Sequence, residues 1–371
     1  MRDNSLRHRG WLKNFDFVLL SLTLLAALFG ILMISSAGGE NAGRYVAVQS
    51  AALVLGLGGI AALMILDYEY LAQISIYVYA ACILVLVLVL IPGLGRVENG
   101  ARSWFRIGPV SIQPAEFVKI GFIITFSKHL SDVEGEVNRP KNLLLLLLHL
   151  GIICGLIMLQ PDFGTVVVFL VMAFVMLFAA KLSWKYILGG VGALVVAGPL
   201  AWFFFLQDYQ KARIINVFNP ENDPSGTGYH VLQSKLAVGS GKLFGTGLYK
   251  GSSQFNNLLP ERHTDFIYSV VCEELGMVGG ILVILLLSAI ILRILYIGIN
   301  ARNPLGMYIC TGVAAMLIFQ AFENIGMCIG IFPVTGITLP FISYGGSSLL
   351  TNMLAIGLVI NVRYRYKLIN F

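Results

Sequence analysis

The sequence predicts an all-α polytopic membrane protein of about ten transmembrane helices, with both termini cytoplasmic and a large outer loop between spans seven and eight. Three observations lead there. The chain of 371 residues is 57% hydrophobic and only 12% charged, about half the charge that a soluble surface needs. Windows of ~20 mainly apolar residues, the length needed to cross the hydrocarbon core, recur from end to end. The Lys and Arg residues, finally, sort by connecting segment in a way that fixes an orientation.

The spans run roughly 15–36, 45–66, 71–91, 113–130, 142–160, 163–181, 184–206, 265–293, 305–332 and 340–362. The first follows a basic leader, MRDNSLRHRGWLK; its apolar run is too long for a signal peptide and many similar runs follow, so it reads as an uncleaved span. Pro114 suits the first turn of the fourth span. Pro161 and Asp162 suit the start of the sixth, and Thr264 or Asp265 the start of the eighth. Pro333 and Pro340 bracket the entry to the tenth. Connections are short except for 92–112 and 207–264. The whole of 1–371 reads as one integral membrane domain, with 207–264 a lid-like insertion of turn formers and short apolar patches.

With the N-terminus inside, fourteen Lys and Arg fall in inner segments (Arg2, Arg7, Arg9, Lys13, Lys128, Arg139, Lys141, Lys181, Lys185, Arg293, Arg302, Arg363, Arg365, Lys367). Four fall in the outer segments other than 207–264 (Arg44, Arg96, Arg102, Arg106), and the 207–264 loop, too long to weigh on orientation, carries six more (Lys211, Arg213, Lys235, Lys242, Lys250, Arg262). This is the positive-inside pattern, and it puts both long loops outside. The net charge of +6 therefore reflects membrane sidedness and implies no nucleic-acid partner. The five cysteines, Cys82, Cys154, Cys272, Cys310 and Cys328, sit in apolar runs without metal-type spacing and read as packing residues.

Ionisable residues inside spans cost ~2.5 kcal/mol or more each unless paired or hydrated, so four places stand out. In SIQPAEFVKIG, Glu116 and Lys119 share a helix face at i, i+3; they form either a self-satisfied ion pair or a functional pair facing a wet outer cavity. In QPDFGT, Asp162 is either a plain helix cap or part of that cavity. In LPERHTDFIYSVVCEELG, which ends at Gly276, His263 and Asp265 stand at a helix start, where capping is one explanation. Capping does not explain Glu273 and Glu274, two turns deeper. Glu323, Asn324 and the small polar residues from Ser343 to Ser348 serve either close packing or an unwound cavity wall. Even-numbered spans present their N-termini outward, where anions are favoured, and Arg102, Arg106 and Lys119 add positive charge. One carboxylate, Asp265, beside an anion-friendly pocket at the lipid boundary suits a lipid-linked phosphate donor and a base acting on an external acceptor.

Four stretches, GYHVLQSKLAVGSGKLFGTGLYKGSSQFNNLLPERHTDFIYSVVCEELG, RSWFRIGPVSIQPAEFVKI, QPDFGT and ENIGMCIGIFPVTGITLPFISYGGSSLL, closely resemble the SEDS family (shape, elongation, division and sporulation), in the family's order and nearly end to end. The wording LPERHTDF and ENIGMCIGIFPVTGI is nearer to the elongation branch than to the division branch. Ala115 and Cys272 are small departures. The resemblance implies a peptidoglycan glycosyltransferase that polymerises lipid II into glycan strands on the outer face of the bacterial cytoplasmic membrane. It implies a class B penicillin-binding protein and the elongation machinery as partners. It also implies a divalent cation, Mg or Mn, with Glu116 or Asp162 as candidate ligands. The family's catalytic aspartate falls on Asp265, and its central cavity on Arg102, Glu116, Lys119 and Asp162; His263 and Ser343 are added here as candidate cavity residues. The rival expectations are a lipid II flippase or transporter, and a non-catalytic scaffold for the penicillin-binding protein. No internal repeat of the transporter type is evident.

Overall fold

A computed structural model describes residues 15–98, 101–107, 110–204, 211–212, 215–217, 219–220, 223, 226–251, 259 and 261–366. The basic leader and parts of the long loop 207–264 lie outside the described residues.

The helices are α1 (Phe17–Ala37), α2 (Ala42–Ile65), a short α3 (Tyr68–Gln73), α4 (Ser75–Leu90), α5 (Pro114–Asp132), α6 (Pro140–Met158), α7 (Phe163–Ala179), α8 (Trp184–Phe204), α9 (Thr227–Ser240), α10 (Ile267–Ile299), α11 (Pro304–Cys328) and α12 (Gly346–Tyr366). A helix of sixteen residues or more lies on every expected span. Among the described residues seven of them (α1, α2, α6, α8, α10, α11 and α12) are long and apolar enough to cross a membrane, and α4 and α7 are shorter apolar helices. The helix of the tenth expected span, α12, begins at Gly346 rather than 340, because residues 329–345 form an irregular segment in which Gly330, Gly336 and Phe341 take positive φ. The loop 92–112 is more ordered than expected. It folds as a three-stranded antiparallel sheet, β1 (Arg96–Glu98), β2 (Ala101–Ile107) and β3 (Val110–Ile112), with Val97 opposite Arg102 and Arg106 opposite Ser111.

The core follows from where small residues let helices approach. A Cβ on Gly56 would lie 2.7 Å from Met353, and one on Gly59 2.6 Å from Leu354, so α2 and α12 pack almost backbone to side chain. Gly312 of α11 sits against Ile123 of α5 and Met176 of α7. Consequently α11 and α12 are mostly buried, whereas α8 is almost wholly exposed at the periphery. Cys82, Cys272, Cys310 and Cys328 are buried packing residues. At one end of the bundle Asp16 caps α1 through Leu19 N (2.9 Å) and pairs with Arg293 of α10 (2.8 Å).

One feature of α10 was not anticipated. The helix breaks at Gly276 (φ 67°, ψ −167°), exposing backbone groups that membrane interiors do not tolerate unpaired. A strap formed by residues 242–247 satisfies them. Met277 N donates to Lys242 O (2.9 Å), Val278 N to Leu243 O (3.2 Å), Thr246 N to Glu273 O (3.0 Å) and Gly247 N to Glu274 O (2.9 Å). Only glycine fits the break, since a Cβ there would stand 2.4 Å from Gly245 N and from Leu243 O, both backbone atoms.

Candidate active site

The stretch ERHTDF leading into α10 is tied at successive residues to four different elements. Glu261 takes a positive φ of 52°, and its carbonyl accepts from the N–H groups of Thr264, Asp265 and Phe266. Arg262 Nε donates to the carbonyl of Ala37 at the end of α1 (2.6 Å). His263 stacks on Tyr45 of α2, with ring centroids 4.2 Å apart, and its carbonyl accepts from Tyr344 N (2.9 Å). Burial pushes the His263 imidazole below its usual range, with Arg262 adding to the effect and Glu261 opposing it, so the ring is neutral at pH 7.

Asp265 is half-buried one residue before the helix cap, which is Phe266. The Thr264 hydroxyl is spent on Glu261 O (3.0 Å), so neither residue is the cap that the sequence allowed. The Asp265 carbonyl accepts from Asn324 Nδ2 (2.8 Å) and from Cys328 Sγ (3.6 Å), both on α11. Its carboxylate faces Gly336, where a Cβ would lie 3.6 Å from Oδ2.

Glu116 and Lys119 form a buried ion pair, Nζ to Oε1 2.8 Å, with side chains 11% and 2% exposed. Glu116 Oε2 is buried without a partner. Pro114 opens α5 as expected. Asp162 is the N-cap of α7: Oδ1 accepts from Thr165 N (3.1 Å) and Oδ2 from Thr165 Oγ1 (2.8 Å). Yet Oδ2 also accepts from Gln113 Nε2 (3.1 Å), and Gln113 N donates to Ser347 Oγ (3.4 Å). This joins the starts of α5, α7 and α12 into one polar rim, so Asp162 is at once a helix cap and a tie between helices.

Two further candidates bond to backbone groups. Arg102 Nη1 donates to the Leu90 carbonyl (3.4 Å), stabilising the C-terminus of α4 where cations are favoured. Ser343 is 4% exposed and works locally: its Oγ accepts from Leu339 N (2.8 Å) and its carbonyl from Gln49 Nε2 (3.0 Å).

The structure also answers for the deep glutamates. Glu274 Oε1 accepts from Ser36 Oγ of α1, and Glu273 lies within electrostatic reach of Arg262. Residues that sequence reasoning missed are Gln320 and Asn352, both essentially unexposed. Ser347 beside Gln113 puts Asn352 level with Val118, five residues further along each helix, and Gly312 against Ile123 puts Gln320 near the level of Glu116. Gln320 Oε1 and both polar atoms of Asn352 are buried without partners, in α11 and α12. Their only sequence signal was an amide in the middle of an apolar helix. Together with Glu116 and Lys119 they give a layer of open hydrogen-bonding capacity suited to hydroxyl and phosphate oxygens or to water.

Among the described residues no group of three or more His, Cys, Asp or Glu side chains could hold an ion, and Lys119 already stands on Glu116 as its counter-charge.

Residues 16–368 match the model of the FtsW/RodA/SpoVE family, described as cell cycle protein. The chain belongs to this family. Among its relatives, stage V sporulation protein E of Bacillus subtilis (strain 168) is 37% identical over 364 residues, covering 94% of this chain and 96% of that protein. Peptidoglycan glycosyltransferase MrdB of Escherichia coli (strain K12) is 34% identical over 380 residues, covering 100% and 99%. A chain in a structure concerning coordination of polymerization and crosslinking by a peptidoglycan synthase complex superposes with a TM-score of 0.84 at 32% identity, over 95% of this chain and 99% of that one. The crystal structure of Thermus thermophilus rod shape determining protein RodA matches with a TM-score of 0.71 at 31% identity, over 94% and 96%. As a member of the FtsW/RodA/SpoVE family with seven membrane-length apolar helices among its described residues, the chain is a multi-pass membrane protein.

Proposed function

We propose that this chain is a peptidoglycan glycosyltransferase that polymerises lipid II into glycan strands on the outer face of the bacterial cytoplasmic membrane, serving cell elongation and rod shape. The observation that carries the reading is the carboxylate of Asp265, half-buried just before the start of α10, beside the last turns of α11, and turned toward Gly336, whose missing side chain leaves room beside it. The relatives support the chemistry, since MrdB is itself named a peptidoglycan glycosyltransferase.

In the proposed reaction the 4-hydroxyl of the acceptor GlcNAc attacks C1 of the donor MurNAc. The O4–C1 bond forms, the bond from C1 to the diphosphate oxygen breaks, and undecaprenyl pyrophosphate leaves with the electron pair. Asp265 takes the hydroxyl proton, a contribution of ~10² to 10⁴-fold for a well-placed base. The sequence offers one strongly placed outer carboxylate as base, Asp265, so direct inverting transfer is the simpler course. The leaving diphosphate needs positive charge, and Lys119, with two donors beyond its bond to Glu116, is the cation for it. A divalent ion, Mg²⁺ or Mn²⁺, would arrive shared with the diphosphate and its waters, the mode Mg²⁺ prefers. Arg102 and Ser343 hold backbone in this scheme, and His263 keeps the Asp265 approach in place.

The Lys and Arg asymmetry supports ten spans with both termini inside and 207–264 outside. Helix α9 supports the lid-like reading of that loop: Ser234 is buried and bonds to Ser269 Oγ (2.6 Å) and Cys328 O (2.7 Å), next to the Asp265 corner. A class B penicillin-binding protein and the elongation machinery are the proposed partners. The flippase reading gains one observation, the broken α10, because interrupted helices occur in transporters. The experiment that separates the two is purified protein with labelled lipid II in liposomes: glycan product supports the transferase, and movement of lipid II without product rejects it.

A further inference from the structure

Asn324 occupies a position that neither packing nor fold class requires. It is fully buried in α11, and its single amide nitrogen spends both hydrogens on carbonyls from two other parts of the chain. One is Asp265 O (2.8 Å), one residue before the cap of α10; the other is Ile337 O (2.8 Å), in the irregular segment between α11 and α12. Cys328, one turn further along α11, adds a weaker contact to the same Asp265 carbonyl (3.6 Å). Ile337 directly follows Gly336, and Gly336 is what the Asp265 carboxylate faces. The amide thus clamps the peptide that carries the carboxylate to the peptide next to the wall it faces. Both bonds run to backbone, so the clamp acts on the carboxylate's position through the peptide that carries it.

We infer that Asn324 is a positioning residue for the reacting carboxylate, acting through the peptide of Asp265 and setting its distance and direction to Gly336. This inference rests on the reading of Asp265 as the base. Only a primary amide of this length supplies two donors from one atom; a hydroxyl supplies one and an alanine none. Losing both leaves two buried carbonyls unpaired and lets the α10 start drift from the 336–337 segment. A displacement of about 1 Å in a reacting group costs on the order of 10²-fold in rate, and it acts on turnover rather than on the binding of a long lipid substrate.

The test uses the full-length protein in liposomes with lipid II, comparing Asn324→Ala, Asn324→Ser and Asp265→Asn, with rates normalised to the monodisperse folded fraction. Asn324→Ser keeps one donor and decides the matter should the alanine variant fail to fold. The expected result is a fall in kcat of about 10²-fold for Ala and an intermediate fall for Ser, with KM within threefold of the parent. The acidic limb of the pH–rate profile should also move, because a displaced carboxylate meets a different environment. A folded Ser or Ala variant with the parent kcat, or with a change confined to KM or to stability, overturns the positioning role. The two readings fail separately. If Asp265→Asn turns over normally, the base assignment falls and this inference with it; if Asp265→Asn is inactive while Asn324→Ser is unimpaired, only the positioning falls.

Discussion

Replacing Glu116 by Gln removes the counter-charge of a lysine that is 2% exposed. Nothing else among the described residues pairs with Lys119, and the bond to Glu116 Oε1 is 2.8 Å long. Breaking one partner of such a buried pair leaves an uncompensated charge and costs ~3–5 kcal/mol, whereas replacing both partners with apolar groups of similar size is often neutral. On that scale Glu116→Gln and Lys119→Met should each lower the thermal midpoint markedly in detergent, and the double variant Glu116→Leu/Lys119→Met should recover most of the loss. Activity should behave differently. The double variant lacks the cation proposed for the departing diphosphate, so its glycan synthesis per folded molecule should remain at least ~10²-fold down, the usual penalty for losing one such electrostatic group. Fluorescence-detected size-exclusion with a temperature ramp reads the first effect, and polymerisation of labelled lipid II reads the second. A double variant that regains both stability and full activity would refute the functional half of this reasoning and reduce the pair to a structural ion pair.

Gly276→Ala places a Cβ against backbone atoms at 2.4 Å and forces a positive φ, so it should cost at least ~3 kcal/mol from strain and weakened strap bonds; a thermal midpoint within a degree of the parent would show that the strap is dispensable. Because burial lowers the His263 pKa, the unfolded chain takes up a proton that the folded chain refuses. Stability should therefore fall as pH drops below about 6.5, and His263→Gln should flatten that dependence in melts between pH 7.5 and 5.5. Arg293→Ala strands the carboxylate of Asp16, 1% exposed, and should destabilise by ~3 kcal/mol, while Asp16→Asn, which stays neutral and can still cap α1, should cost less.

The helical segments were legible because a membrane span needs a long apolar run, and every such run became a helix. The Glu116–Lys119 pair was legible from i, i+3 spacing, and Asp162 from its place at a helix start. Where the reading fell short, the deciding interactions were distant in sequence. Arg102 was expected in the cavity from its charge and from the family resemblance, neither of which foretells that its strand brings it to the carbonyl at the end of α4, 12 residues back. The partner of Glu274 is Ser36, 238 residues away. The break in α10 requires a strap from 242–247 that shares no motif with it, and Gly276, with Gly279 and Gly280 close behind it, does not announce in sequence which glycine breaks the helix. Residues 92–112 read as a loop because strands of three and seven residues are too short to show a period. Gln320 and Asn352 were passed over because an isolated amide in an apolar helix has no sequence signature of function.

The most direct measurement is polymerisation of labelled lipid II by the purified full-length protein and its Asp265→Asn variant, with lipid II binding measured alongside. The account predicts glycan chains from the parent, a loss of ~10² to 10⁴-fold in the variant for removal of the base, and unchanged binding. Glycan synthesis by Asp265→Asn at the parental rate would contradict it.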